Sequence, residues 1–229
     1  NPLNTFTVGF KEFGYDESNS ARLISSLIGT NHSDVILSPN EAMKIIPYLP
    51  EIYDEPFSDV SQIPTFLISK FASQNVKVCL SGDGGDELFC GYSRHIAGPR
   101  IWHIVRKMPR PIRKFFVNFI HLFPPTTWDR FYYFCEFLIP KHLRLNFPGL
   151  KIYKISDLIN NESLYEVYLT LISSWKSPEN IVLNHYPFKK FDHSGVSNIK
   201  LNDPHHQMMF YDYLNYLPND ILVKVDRAA

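Results

Sequence analysis

Seven consecutive residues, Ser81-Gly82-Asp83-Gly84-Gly85-Asp86-Glu87, place three glycines and three carboxylates in one short stretch. Backbone N–H groups in a glycine-rich turn, with a helix N-terminus behind them, attract anions. Three nearby carboxylates would repel a bare phosphate. A divalent cation removes the conflict, because Mg²⁺ is commonly held by one or two carboxylates together with substrate phosphate oxygens. The stretch therefore points to a magnesium nucleotide or a pyrophosphate. A Walker loop is excluded by the absence of G-K-[ST], and an EF-hand by the ligand spacing. On the residues alone the other reading stays open, a solvated turn whose acids favour the first turn of the following helix.

The elements around the stretch set its place in a fold. "TFTVGF" (residues 5–10) reads as a buried strand, and "YDESNSARLISSLIG" as a helix with Asp16, Ser18 and Asn19 as candidate caps and Gly29 as its stop. "HSDVIL" reads as a second strand, Ser38-Pro39 as a helix start, and "NEAMKIIPYLPEIY" as a helix interrupted at Pro47. A helix over "TFLISKFASQN" leads into an expected strand, "VKVCL", directly before the acidic turn. Strands alternating with helices predict a mostly parallel sheet covered by helices, and ligands of such sheets sit beyond the carboxyl ends of the strands. Residues 1–98 are thus expected to form an α/β nucleotide-binding core. Residues 99–229, rich in aromatics and proline, are expected to be a mainly helical part of the same domain.

Composition narrows the classes of function. The formal net charge is zero, with 23 basic and 23 acidic side chains, so no global field argues for nucleic acid or an anionic membrane. Three irregularly spaced cysteines form neither a disulfide framework nor a C-x-x-C pair, and no signal peptide or membrane span is expected, which together point to the cytoplasm. Between Glu87 and Asp129 there is no acid, while Arg94, Arg100, Arg106, Lys107, Arg110, Arg113 and Lys114 accumulate near Trp102, Phe115 and Phe116. That run is read as a solvated helix face with snorkelling stems. Tyr132, Tyr133, Phe134 and Phe137 are read as core. His205 and His206, adjacent on a helix, point about 100° apart and are not read as a metal pair.

The residues also carry a resemblance. "LSGDGGDELFCGYSRH" resembles the S-G-[DE]-G-[SG]-D-E-x-F-x-G-Y signature of the synthetase domain of glutamine-dependent asparagine synthetases. "DEPFSDVSQIPTFLISKFA", "YLPNDILVKVDRAA", and "FTVGF" with "DESNSARLISSLIGTNH" are similar to three further segments of that family, in the same order. The resemblance implies an ATP-pyrophosphatase fold of the adenine nucleotide α-hydrolase type. It implies ATP and Mg²⁺, with aspartate adenylated on its side chain and ammonia displacing AMP. In that picture Asp86 holds the metal, Ser81 and Gly82 contact the nucleotide or the intermediate, and the backbone at Val8 serves the adenine. Asp83 stands close to the reacting carbonyl and could take ammonia's proton. Lys224 or Arg227, with Arg227 slightly favoured, is the cation for the transferring group, although Lys224 and Asp226 could equally face water on an amphipathic helix.

The sequence departs from the family's pattern at two places. The S-G-G-x-D-S loop that grips pyrophosphate does not occur in these 229 residues, and neither does an N-terminal nucleophilic cysteine with a glutaminase domain; the sequence stops before an R-V-P-F-L-D segment. The expectation is a piece of a longer enzyme, inactive alone, whose ammonia comes from a glutaminase domain outside it. The resemblance leaves a homodimer of the full-length protein open. Two other readings remain: a β-lactam-synthetase-like enzyme that adenylates and then uses an internal amine, and a degenerate member retained for protein contacts through the basic region.

Overall fold

The computed structural model describes residues 2–10, 16–138, 140, 144, 145, 147–173, 175 and 201–229. The chain forms two compact units, one of Asn1–Gly85 with Leu214–Ala229 and the other of Asp86–Tyr213.

The first unit begins with β1 (Asn4–Phe10), α1 (Ser18–Ile28) and β2 (Asn31–Leu37). The strands pair in parallel from Asn4 opposite Asn31 to Phe10 opposite Leu37. Parallel neighbours cannot be joined by a tight turn, so the chain crosses over through α1. That helix starts where Asp16 accepts the Ser18 N–H at 3.1 Å, and it ends at Gly29 with φ 71°. It is tied to β2 by a two-pronged bond from Arg22 to Asp34, at 2.6 and 3.1 Å. Its buried side chains are Ser18 and Ser25, while Leu23, Ile24, Leu27 and Ile28 stay exposed.

Ser38 opens α2 (Pro39–Ile45) with a reciprocal cap: its hydroxyl accepts from the Glu41 N–H, and the Glu41 carboxylate accepts from the Ser38 N–H at 2.9 Å. The helix gives way at Pro47 to a 3₁₀ turn, Ile46–Tyr48, before α3 (Leu49–Tyr53), so the expected interruption is present. Next comes α4 (Gln62–Ser73). The expected strand at Val76–Leu80 does not form. Cys79 is exposed, and Val78 and Leu80 are 82% and 95% exposed. A strand exists only through a hydrogen-bonded neighbour, and among the described residues the sheet consists of β1 and β2 alone.

The second unit is helical: α5 (Gly85–Phe89, beginning at the boundary), α6 (Ser93–Val105), α7 (Arg110–His121), α8 (Pro125–Cys135), α9 (Pro148–Ile159), α10 (Leu164–Ile172) and α11 (Pro204–Tyr211). Helices α7 and α8 pack on α9, and α6 packs on α10 and α11. Leu164, Tyr168 and Met208 form the core of that second group, with Trp102, Leu169 and Tyr211 against them. Burial pushes the Tyr168 phenol far above its ordinary range, helped by the neighbouring Asp212 carboxylate, and its hydroxyl donates to the Tyr211 carbonyl at 3.1 Å.

Two expectations for this unit need correction. Tyr133, Phe134 and Phe137 are at least half exposed, so they are not core. The inward side of α8 is taken by Trp128, Tyr132 and Cys135, at helical spacing, and adjacent aromatics must then point outward. Nor is the basic run uniformly a solvated face. Arg94 turns inward onto Asp212 at 2.8 Å, and Arg113 donates to the Asn161 carbonyl at 2.7 Å.

From Asp212 the chain continues through a π-helical segment, Asp212–Ile221, that contains Pro218, into α12 (Leu222–Ala228). Within the first unit α12 packs on α3 and α4. Lys224, expected as an alternative to face water, is buried. Its ammonium donates to Asp59 at 3.2 Å and to the Ser61 hydroxyl at 2.7 Å. Asp59 also accepts from the Ser61 N–H at 2.8 Å. Burial alone would raise the Asp59 pKa, but the Ser61 N–H and hydroxyl and the Lys224 charge outweigh it and hold it below the ordinary carboxylate range.

Removing one partner of a buried pair leaves the other charge uncompensated. Lys224→Met should therefore destabilise the protein by about 3 kcal/mol, with Lys224→Met/Asp59→Leu recovering part of the loss in a double-mutant cycle followed by thermal unfolding. Because the folded-state pKa of Asp59 is lowered, its contribution is present above the unfolded-state value of about 4 and disappears as pH falls through the folded-state value. The gap between wild type and Lys224→Met should close on acidification, and a gap independent of pH would remove the ion pair as its source.

Candidate active site

Residues Val8, Ser81, Gly82, Asp83, Lys224 and Arg227 belong to the first unit, and Asp86 to the second. Val8 sits in the C-terminal half of β1, opposite Val35. Its backbone is thus held by the parallel ladder near the strand's carboxyl end, where ligands of such sheets gather.

The glycine stretch folds as expected of a turn. The Gly85 N–H donates to the Gly82 carbonyl at 3.1 Å, and Asp83 and Gly84 are the central residues. Gly84 has φ 90°, a conformation that penalises any side chain, and it is buried with Leu217 beside it. That closure leaves Ser81, Gly82 and Asp83 exposed. The helix behind the turn, α5, has only five residues, so its dipole adds little and the turn's own N–H groups carry most of any anion affinity.

The three carboxylates do not share one environment. The side chains of Asp83 and Asp86 are exposed and make no hydrogen bond or ion pair among the described residues. Glu87 is 1% exposed and accepts the Tyr92 hydroxyl at 2.8 Å. Two acids are therefore available to a ligand and one is committed to the interior.

The cations divide in a similar way. Lys224 is occupied by Asp59 and Ser61, whereas Arg227, 42% exposed, contacts an Asp54 carboxylate that is itself 70% exposed. Such a surface pair is worth little and opens readily. Neither cation pairs with Asp83 among the described residues.

No group of three or more His, Cys, Asp or Glu side chains among the described residues is arranged to hold a metal ion. Mg²⁺ keeps several waters and reaches proteins through one or two carboxylates plus phosphate oxygens. A free Asp86 carboxylate next to a turn of N–H groups fits an ion that arrives with a phosphate chain.

The pairing of Glu87 with Tyr92 and of Lys224 with Asp59 and Ser61 was not read from the sequence. The Asp-x-Ser spacing of Asp59 and Ser61, an Asx-turn signature, was the available signal for the second pairing.

Comparisons with known proteins place the chain in a family. The family described as asparagine synthase matches residues 1–229. A candidate glutamine-hydrolysing asparagine synthetase 2 of Methanocaldococcus jannaschii is 40% identical over 111 residues, which cover 48% of this chain and 21% of that protein. The glutamine-hydrolysing asparagine synthetase 1 of Bacillus subtilis is 37% identical over 91 residues, covering 40% of this chain and 14% of its own length. The matched part is thus 21% or less of the length of these relatives. A family match running the length of the chain, joined to a glycine turn that exposes Asp83 and Asp86, shows that this chain belongs to the asparagine synthase family.

Proposed function

We propose that the protein carrying this chain is an ATP-dependent amide synthase that converts aspartate to asparagine. The observation that carries the reading is the turn itself, which exposes two unpartnered carboxylates beside free backbone donors while a third acid is withdrawn inside. Family membership and the names of the relatives support the substrate class. The fold is then of the adenine nucleotide α-hydrolase type, with the β1–β2 pair as part of a larger parallel sheet.

In this reading an oxygen of the aspartate side chain attacks the α-phosphorus of ATP and pyrophosphate leaves. Ammonia then attacks the activated carbonyl, AMP leaves, and one proton from nitrogen goes to a base. Mg²⁺, when bound, neutralises charge on the departing pyrophosphate. Asp86 would hold that ion. The backbone and hydroxyl of Ser81 and the backbone of Gly82 would orient the nucleotide or the acyl-adenylate, and the main chain at Val8 would serve the adenine. Asp83, exposed and free of internal partners, is the assigned base. For the cation we assign Arg227 over Lys224, because only an exposed carboxylate competes for it, whereas Lys224 is tied up in a buried pair. Ammonia would come from a glutaminase domain, and the chain in isolation would be inactive.

Asp86→Asn in the full-length protein should abolish aspartate-dependent pyrophosphate release while moving the melting temperature little, since the substitution keeps the side chain's size and breaks no side-chain hydrogen bond or ion pair among the described residues. Unchanged release would remove its metal role.

Asp83→Asn should leave adenylation largely intact and slow amide formation by roughly 10²- to 10⁴-fold, the range for a lost general base. Rapid-quench measurement should then find aspartyl-adenylate accumulating. Loss of the first step instead, partly restored by excess Mg²⁺, would reassign Asp83 to the metal. An adenylate consumed without ammonia would point to an enzyme that uses an internal amine.

A further inference from the structure

The residues just after the turn contain an arrangement that no assigned role explains. Gly91 lies against Asp86: its N–H donates to the Asp86 carbonyl at 2.9 Å. A Cβ placed on Gly91 would stand 1.9 Å from Asp86 Oδ1, 2.7 Å from its Cγ and 2.9 Å from its Cα. No side chain fits there while Asp86 keeps its present position, and the Asp86 Cα cannot move without moving α5. The chain reaches this contact through Cys90, a non-glycine residue at φ 63°, a conformation that costs free energy and persists only where its surroundings enforce it.

The enforcement comes from Tyr92. Its hydroxyl donates to the buried Glu87 carboxylate, one residue along α5 from Asp86. The Arg94 guanidinium lies 3.7 Å from the centre of its ring, and His95 meets the ring edge-on. Arg94 and His95 both bond the same oxygen of Asp212, at 2.8 and 2.6 Å, and His95 and Asp212 are fully buried. Tyr92 is thus gripped from behind, and it grips α5 in turn.

We propose that Gly91 and Tyr92 are positioning residues for Asp86. Gly91 leaves the space that one orientation of the Asp86 carboxylate occupies, and the Tyr92–Glu87 bond locks α5 in the matching place. Glu87 is the anchor of that lock and not a ligand of the ion. This rests on the reading of Asp86 as the metal-holding carboxylate.

The test is Mn²⁺ binding followed by electron paramagnetic resonance in the full-length protein with ATP present, alongside thermal unfolding. Gly91→Ala, which forces the carboxylate aside, should weaken Mn²⁺ binding by roughly 10- to 100-fold, the usual cost of disturbing a ligand's support. Tyr92→Phe, which keeps the ring and removes only the hydroxyl, should weaken it in the same direction and serves as the second probe if Gly91→Ala folds poorly. Glu87→Gln still accepts the Tyr92 hydroxyl and should hold Mn²⁺ within about twofold of wild type. Binding unchanged in folded Gly91→Ala or Tyr92→Phe overturns the proposal, as does a Glu87→Gln loss equal to that of Asp86→Asn. If Asp86→Asn itself binds Mn²⁺ normally, the metal reading fails and the positioning role falls with it. A loss in Asp86→Asn without one in Gly91→Ala refutes the positioning role alone.

Discussion

The helical unit depends on one carboxylate without access to solvent. Asp212 stands at the end of α11 and receives Arg94 and His95 from the start of α6, more than a hundred residues earlier. A buried carboxylate is tolerated only when it is paired and hydrogen-bonded, and here a single Asp212 oxygen takes both partners. Satisfying Asp212 therefore fixes α6 against α11 and places Tyr168 and Met208 in the core between them. It also fixes Arg94 over the Tyr92 ring, which sets where Glu87 and then Asp86 lie. The polar interior and the start of α5 form one connected arrangement within this unit.

Local signals in the sequence were reliable where the physics is local. The strand at residues 5–10, the Ser38 cap, the Gly29 stop and the break at Pro47 are decided by a few adjacent residues, and each occurs where those residues predict. Val76–Leu80 has the composition of a strand, but a strand is a relation between two segments, and its composition cannot supply the second. The aromatic run on α8 misleads for a related reason. Hydrophobicity says that a residue would gain from burial, while helical geometry decides which of three neighbours turns inward.

The turn itself was legible, because glycine and carboxylate spacing is visible in the chain. Its division of labour was not. Glu87 is set apart from Asp83 and Asp86 by burial against the Tyr92 hydroxyl, and Lys224 from Arg227 by burial against Asp59 and Ser61, some 165 residues away. Side chains of like charge thus end in different surroundings, one internal and one exposed, by contacts that spacing does not encode.

The unpaired stretch ahead of the turn has a consequence beyond the single molecule. Val78 and Leu80 hold their side chains in water on a stretch that pairs with no strand among the described residues, the combination that templates edge-to-edge stacking between molecules. Lys77 supplies its one charge. Such an edge favours association between molecules wherever no other segment covers it.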